Sequence, residues 1–144
     1  MKNFMDDQDF LLSTKTGEEL FHNFAEGMPI VDYHCHISPK EIWDDKRFEN
    51  ITEVWLGGDH YKWRLMRANG VDERFITGDA PAREKFQKWA ETLGRCVGNP
   101  VFEWSHLELK RYFGYEGVLN GKTAQEVWDL ANVKLAEASF TCRN

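Results

Sequence analysis

Apolar residues recur every three or four positions along most of this chain, which is the spacing of one face of an α-helix. In "GDAPAREKFQKWAETLG", for example, Phe86, Trp89 and Leu93 follow this spacing, and Gly94 ends the pattern. Capping pairs precede several such stretches: Thr16 with Glu19, Ser38 with Glu41, Asn50 with Glu53, and Thr123 with Glu126. The pattern predicts six or seven helices, from about residue 17 to 26, from Pro39, from Asn50 to Gly57, from Asp59 to Gly70, from near Asp79 to Gly94, from about 100 to 112, and onward from Thr123.

One short segment, "PIVDYHCH", has the alternation of a β-strand instead. Ile30 and Val31 are β-branched, and Asp32, His34 and His36 would share one face of the strand. A lone buried strand would leave its backbone donors and acceptors unsatisfied. We therefore predict a mostly α chain with one strand. The other strands of its sheet would lie beyond residue 144 or in another chain, and we expect the chain to be an N-terminal fragment.

The composition fits a globular domain without a nucleic-acid or membrane partner. With 144 residues, 42% of them hydrophobic and 14% aromatic, the chain can bury a sizeable core. A formal net charge of -6 and the lack of a Lys/Arg block argue against binding to nucleic acid or anionic membranes. The first ten residues lack the apolar segment of a secretory signal, and the three scattered cysteines fit reduced thiols. We therefore expect a cytoplasmic protein.

His34 and His36 are candidate metal ligands at the end of the predicted strand. Because alternate side chains of a strand point to the same face, the two imidazoles could bind one ion. Catalytic zinc usually has three protein ligands and an open position, so a further ligand would have to come from elsewhere. Asp32 lies deeper in the strand, and we expect it to support the ligands rather than to bind the metal. A chance His-x-His pair in ordinary packing remains the alternative.

His60 and Tyr61, in "GGDHYKWRLMR", are candidate substrate-binding residues at the start of a helix. Asp59 is expected to cap this helix, whose free N–H groups would favour a carboxylate. His60 could donate a hydrogen bond to substrate oxygens, and Tyr61 could do the same or act as an acid or base. A capped surface helix with a solvated basic face would explain the same residues without any function.

His106 is a third candidate, because it lies among the aromatic residues of "NPVFEWSHLELKRYFG". Aromatic side chains near a polar site can stack on sugars, but an aromatic stripe at helical spacing is more often part of a core. The sequence has no P-loop, no glycine-rich dinucleotide motif and no nucleophile elbow.

Taken together, these stretches resemble the uronate isomerases, also called glucuronate isomerases, of the amidohydrolase superfamily. The resemblance covers essentially all 144 residues. It rests on "DQDFLL", "PIVDYHCHISP", "RFENITEVWLGGDHYKWRLMRANGV", "TGDAPAREKFQKWA", "GNPVFEWSHLELKRYFG" and "TAQEVWD". Several long, tryptophan-rich motifs in the same order are far more specific than a His-x-His pair alone.

The resemblance implies the N-terminal portion of a distorted (β/α)8 TIM barrel, with the first barrel strand in residues 1–38 and a helical insertion over residues 39–144. It implies aldose–ketose isomerisation of sugar acids, namely D-glucuronate with D-fructuronate and D-galacturonate with D-tagaturonate, by metal-assisted proton transfer. His34 and His36 match the family's metal-binding pair, usually described with zinc. His60 and Tyr61 match the His-Tyr pair that meets the substrate, as catalytic and substrate-binding residues.

The chain departs from the family pattern in what it lacks. The family's aspartate ligand, its substrate-carboxylate arginines and most of its barrel are absent, so we expect this chain alone to be inactive. Two other functions remain open, a metal-dependent hydrolase of the same superfamily and a non-catalytic helical module that acts through binding. A homo-oligomer also remains open.

Overall fold

The computed structural model of the chain describes residues 8–34, 37–137 and 139–143. These residues form seven α-helices and no β-strand. The chain divides into two compact units, Met1–Cys35 and His36–Asn144. The prediction of a mostly helical chain is thus confirmed.

The described part of the first unit contains one α-helix, which begins earlier than the sequence predicts. Helix α1 spans Lys15–Leu20 and continues as a π-helical turn, Phe21–Ala25. Its cap is Thr14 and not Thr16, because Thr14 has an extended backbone and its Oγ1 accepts from the Gly17 backbone N–H at 3.0 Å. No residue of α1 is buried within the structure.

The prediction of a strand in "PIVDYHCH" is wrong for the residues that the structure describes. Residues 29–34 adopt no regular secondary structure, and the side chains of Ile30 and Tyr33 are 93% and 94% exposed. A strand requires a neighbour that completes its backbone hydrogen bonds, and the described part of this unit supplies none. Cys35 and His36, at the end of the predicted strand, lie outside the described residues.

The described part of the second unit contains six α-helices, two of which begin at the caps that the sequence predicts. Asn50 accepts from the backbone N–H of Glu53 at 3.0 Å, and Asp59 accepts from the N–H groups of Tyr61 and Lys62. The helices are α2 (Pro39–Trp43), α3 (Ile51–Leu56), α4 (His60–Ala68), α5 (Ala82–Leu93), α6 (Pro100–Glu108) and α7 (Ala124–Leu135). A 3₁₀ turn, Glu73–Phe75, lies between α4 and α5, and α6 continues as a π-helical turn, Leu109–Phe113.

At two other predicted caps the position is confirmed, but the predicted side-chain hydrogen bond is not formed. Ser38 and Thr123 precede α2 and α7, but neither side chain makes a capping hydrogen bond. The Thr123 hydroxyl instead donates to the backbone carbonyl of Val118 at 2.8 Å, so it closes the preceding loop rather than the helix.

Helix α5 forms the centre of the core of the second unit. Phe86, Trp89 and Leu93 are fully buried, as their helical spacing predicts. The helix packs against α3, α4 and α7, and the rings of Phe86 and Trp55 stack with their centroids 6.2 Å apart. This packing fixes α3 and α4, and therefore the short Gly57–Gly58 connection from which the candidate site projects.

Candidate functional site

The first turn of α4 presents the two residues that the sequence analysis nominates for the substrate. Asp59 Oδ1 accepts from the backbone N–H of Tyr61 at 3.0 Å and from that of Lys62 at 3.1 Å. The carboxylate therefore satisfies two of the N–H groups that a helix start leaves without a partner. The predicted cap is confirmed, and it places His60 and Tyr61 at the first two positions of the helix.

His60 and Tyr61 stack on one another. Their ring centroids are 4.6 Å apart with an interplanar angle of 29°. The guanidinium carbon of Arg64, one helical turn later, lies 5.9 Å from the centroid of the Tyr61 ring. His60 and Arg64 therefore both contact the Tyr61 ring. The ring nevertheless stays accessible, because Tyr61 is 56% exposed.

Tyr61 lines a groove of about 1010 Å³ in the second unit. Aromatic and charged side chains share the lining, among them Trp55, Lys62, Glu108, Tyr112 and Phe140. The volume lies at the upper end of the range for small-molecule pockets. The groove therefore combines aromatic surface with groups that can donate and accept hydrogen bonds.

A charged cluster of Asp59, Lys62 and Glu108 lies along this groove. Lys62 Nζ is 2.5 Å from Asp59 Oδ2, and the Lys62 side chain is only 11% exposed. Glu108 Oε2 accepts from the indole N–H of Trp55 at 2.8 Å. The first contact lies within the first turn of α4, and the second connects α3 to α6.

Burial and the cluster's own charges set the acidity of its carboxyl groups in opposite directions. Burial raises the pKa of Glu108, and the nearby Lys62 ammonium only partly opposes this effect. Burial would also raise the pKa of Asp59, but the Lys62 ammonium and the two backbone N–H groups outweigh it, so the pKa of Asp59 is lowered. Asp59 thus keeps its charge over a wider pH range than Glu108.

Sequence reasoning missed Glu108. The residue is 53 positions from Trp55 along the chain, so no local pattern connects the two. The available signal was a charged residue directly between Leu107 and Leu109 in a segment rich in aromatic side chains. A charge at such a position is expected to have a partner, because an unpaired buried charge is costly.

His106 has a structural position in the core rather than a place in the groove lining. The residue is 1% exposed, its Nδ1 is 2.6 Å from the carbonyl oxygen of Phe102, and its Nε2 accepts from the Leu119 backbone N–H at 2.9 Å. These contacts require a neutral ring with the proton on Nδ1. Burial lowers the pKa of His106, which is consistent with that form.

The predicted metal pair is described only in part. His34 belongs to the first unit, its side chain is exposed, and its backbone N–H donates to Asp32 Oδ1 at 3.1 Å. His36 lies outside the described residues. Among the residues that are described, no group of three or more His, Cys, Asp or Glu side chains is arranged to hold a metal ion. The metal site stays a prediction.

No described helix meets the requirements of a membrane span. In the described ranges 8–34, 37–137 and 139–143, none is both long enough and apolar enough to cross a bilayer.

Comparison with known proteins gives consistent matches along the whole chain. The family model for glucuronate isomerase matches residues 1–144. The uronate isomerase of Lachnospira eligens is 69% identical over 144 residues, and that of Endomicrobium trichonymphae is 63% identical over 144 residues. Each match covers 100% of this chain and 31% of the relative, so the chain spans about a third of the length of these curated relatives.

A solved structure gives the same result for the fold. The crystal structure of the Thermotoga maritima uronate isomerase aligns with a TM-score of 0.87 and 40% sequence identity. The alignment covers 98% of this chain and 30% of that structure.

Proposed function

The chain belongs to the glucuronate isomerase family, and on that premise we propose that the whole protein is a uronate isomerase. Its proposed reactions are D-glucuronate to D-fructuronate and D-galacturonate to D-tagaturonate. The match of all 144 residues to the family carries this proposal. A hydrolase or a non-catalytic module is not favoured, because the relatives found are named uronate isomerases.

The proposed chemistry moves one proton between neighbouring carbons of an open-chain sugar acid. A base removes the proton from C2, an enediol forms, and a proton is delivered to C1, while the O2 hydroxyl proton passes to O1. Such a step needs an acid or base near C2 and donors for the oxyanion that develops. Tyr61 is the proposed acid–base group, and His60 is proposed to donate to a substrate oxygen and orient it.

The geometry of α4 supports these roles. The imidazole and the phenol lie side by side on the capped first turn, and Tyr61 is exposed to the groove. A phenol that is fixed by its neighbours loses less conformational entropy when it meets a substrate. Of the two residues, Tyr61 lines the groove and His60 does not, so the proposed contact of His60 with the same ligand rests on its stacking against Tyr61.

The proposed cofactor is a divalent metal, with zinc as the first candidate. Imidazole nitrogen is an ordinary zinc donor, and the His34 side chain is exposed, so the residue fits such a site. Asp32 is engaged with the His34 backbone, which suits a supporting role. When bound by His34, His36 and further ligands, the ion would supply polarisation of substrate oxygens.

The proposed fold of the whole protein is a TIM barrel, and its proposed location is the cytoplasm. Residues 29–36 would form its first strand, and residues 39–144 a helical insertion. The residue types support this proposal, because β-branched and aromatic side chains such as those of Ile30 and Tyr33 are enriched in strands. Both side chains are exposed, so they are available to pack in a sheet.

The test is an activity measurement on the whole protein after divalent metals are removed and restored. We expect conversion of glucuronate and galacturonate to ketoses, and absence of both conversions contradicts the proposal. Tyr61→Phe should lower turnover by roughly 10²–10⁴-fold with the fold intact. Tyr112→Phe is the matched control, because Tyr112 lines the same groove and is similarly exposed. Near-normal turnover of Tyr61→Phe would remove Tyr61 from the mechanism.

A further inference from the structure

One carboxylate caps the turn that carries His60 and Tyr61. Asp59 Oδ1 accepts from the backbone N–H groups of Tyr61 and Lys62, and its other oxygen, Oδ2, is bound by Lys62 Nζ. A carboxylate that is held at one oxygen cannot rotate freely at the other. Lys62 therefore fixes the direction in which Asp59 faces the turn.

Lys62 is itself held by the interior of the unit. Its side chain is mostly buried, and its ammonium lies 6.0 Å from the ring centroid of Trp89, a fully buried residue of α5. The carboxyl group of Glu108 attracts the same ammonium from α6. Glu108 is in turn fixed by the indole N–H of Trp55 on α3. Contacts thus hold Lys62 against Asp59 and α5, and the charge of Glu108, which lines the same groove and is bound to α3, attracts the Lys62 ammonium.

We propose that Lys62 and Glu108 are positioning residues of the isomerase, which hold Asp59 and through it the turn that carries His60 and Tyr61. This proposal rests on the proposed function. Neither residue needs to touch the substrate, because each acts through the orientation of Asp59. A displacement of about 1 Å in a catalytic group can cost roughly 10²-fold in rate, so a loosened turn should lower turnover.

The first experiment removes the Lys62 charge in the whole protein. Lys62→Met should raise the exchange rates of the backbone amides at positions 61 and 62 by about tenfold, because the turn opens more often. It should lower kcat by about tenfold or more and change KM by less than about threefold. Lys62→Arg, which keeps the charge, should restore most of both properties.

The chain offers a control with the same local pairing in Lys88, whose side chain is 39% exposed where that of Lys62 is 11% exposed. This lysine of α5 also pairs with an acid three positions away, Glu91, at 2.9 Å, and its ammonium lies 5.9 Å from the ring centroid of Phe75. Lys88→Met should leave kcat and the exchange of the α4 amides unchanged. If it reduces both as much as Lys62→Met does, a general loss of stability explains the data and the proposal is overturned.

The second experiment asks whether Glu108 acts through Lys62. Glu108→Gln keeps an oxygen for the Trp55 indole and removes the charge, and it should lower kcat by about threefold or more. In a Lys62→Met background, the same change should cause no further loss. Independent, multiplying effects of the two substitutions would overturn the role assigned to Glu108.

Two outcomes separate this proposal from the proposed function. If the wild-type protein converts no uronate, the proposed function fails, and the exchange measurement alone decides whether the cluster anchors the turn. If Lys62→Met leaves amide exchange unchanged, or changes it without lowering kcat, the positioning role is overturned. Should Lys62→Met not fold, Asp59→Asn tests the same link, because its amide oxygen still caps α4 without attracting Lys62; normal kcat would then overturn the proposal.

Discussion

His22 in the first unit and His106 in the second are placed in opposite surroundings. His22 is on the helical surface, where its ring nitrogens lie 3.0 Å from Asp9 Oδ1 and 3.1 Å from Glu26 Oε2. Hydrogen bonds to these two carboxylates raise the pKa of His22. His106 is buried among apolar side chains with backbone partners, and burial lowers its pKa. The same residue type is thus stabilised as a cation in one unit and as a neutral ring in the other.

The difference follows from the core of the second unit, which has no counterpart in the described part of the first unit. The second unit buries large apolar side chains from α3 to α7, whereas α1 buries none. A core excludes water, so a polar group inside it must be paired and its charged form is disfavoured. On the surface, water and nearby carboxylates favour the charged form. Substitutions should therefore have very different consequences in the two units.

The largest expected contrast is between two phenylalanines of the 144-residue chain. Phe86→Ala removes a fully buried ring at the centre of the core and should lower the free energy of unfolding by about 3–5 kcal/mol. Phe24→Ala removes a ring that is 70% exposed and should change it by less than about 0.5 kcal/mol. Denaturant unfolding measures both. A comparable cost at Phe24 would show that the first unit has a packed interior.

The two histidines give the next contrast, at about pH 7.5. His106→Leu removes the ring that bonds the Leu119 N–H and the Phe102 carbonyl and should cost about 1–3 kcal/mol. His22→Leu should cost less, because water can reach the half-buried Asp9 and the exposed Glu26 carboxylates and replace the ring. Equal losses in chemical unfolding would contradict the assignment of His106 to the core.

Helix caps give a smaller contrast. Asp59→Ala removes a cap with two backbone hydrogen bonds and a lysine partner, and it should cost about 1–2 kcal/mol. Thr14→Ala removes a cap with one bond from the six-residue helix α1 and should cost about 0.5 kcal/mol. Unfolding followed by circular dichroism compares them. A larger loss of unfolding free energy for Thr14→Ala than for Asp59→Ala would contradict this prediction.

The smallest predicted effect is a pH dependence of opposite sign at the two histidines. His106 has a lowered pKa, so its contribution is complete above the unfolded value of 6.5 and is lost as pH falls below it. His22 has a raised pKa, so its contribution is complete below 6.5 and is lost as pH rises through the folded pKa.

Unfolding free energies at about pH 7.5 and about pH 5 test this sign in three proteins. On acidification, His106→Leu should lose less stability than the wild type, and His22→Leu should lose more. An unchanged pH dependence in both variants would show that neither histidine is linked to folding.

Local features of the site were predictable, whereas its supports were not. Asp59 follows two glycines and precedes the helical pattern, so its capping role and the positions of His60 and Tyr61 follow from adjacent residues. The stacking of the two rings and the contact of Glu108 with Trp55 depend on side-chain directions and on packing between helices. No spacing in the sequence specifies those contacts.

The strand prediction also failed because local sequence does not specify partners in space. The alternation in "PIVDYHCH" is a property of the sequence, but a strand exists only when a second strand completes its hydrogen bonds. Residues 29–34 have the side chains of a strand without such a neighbour among the described residues, and they adopt no regular structure.

By itself, the sequence determined the helical class, most helix positions, the Asp59 cap and the family resemblance, because these depend on residues that are close along the chain or on motifs in a fixed order. Only the tertiary structure decided that His106 is a core residue and that Lys62, Glu108 and Trp55 converge behind the α4 turn. Their partners are distant in sequence, and they meet because burial of apolar surface brings α3, α4, α5 and α6 together.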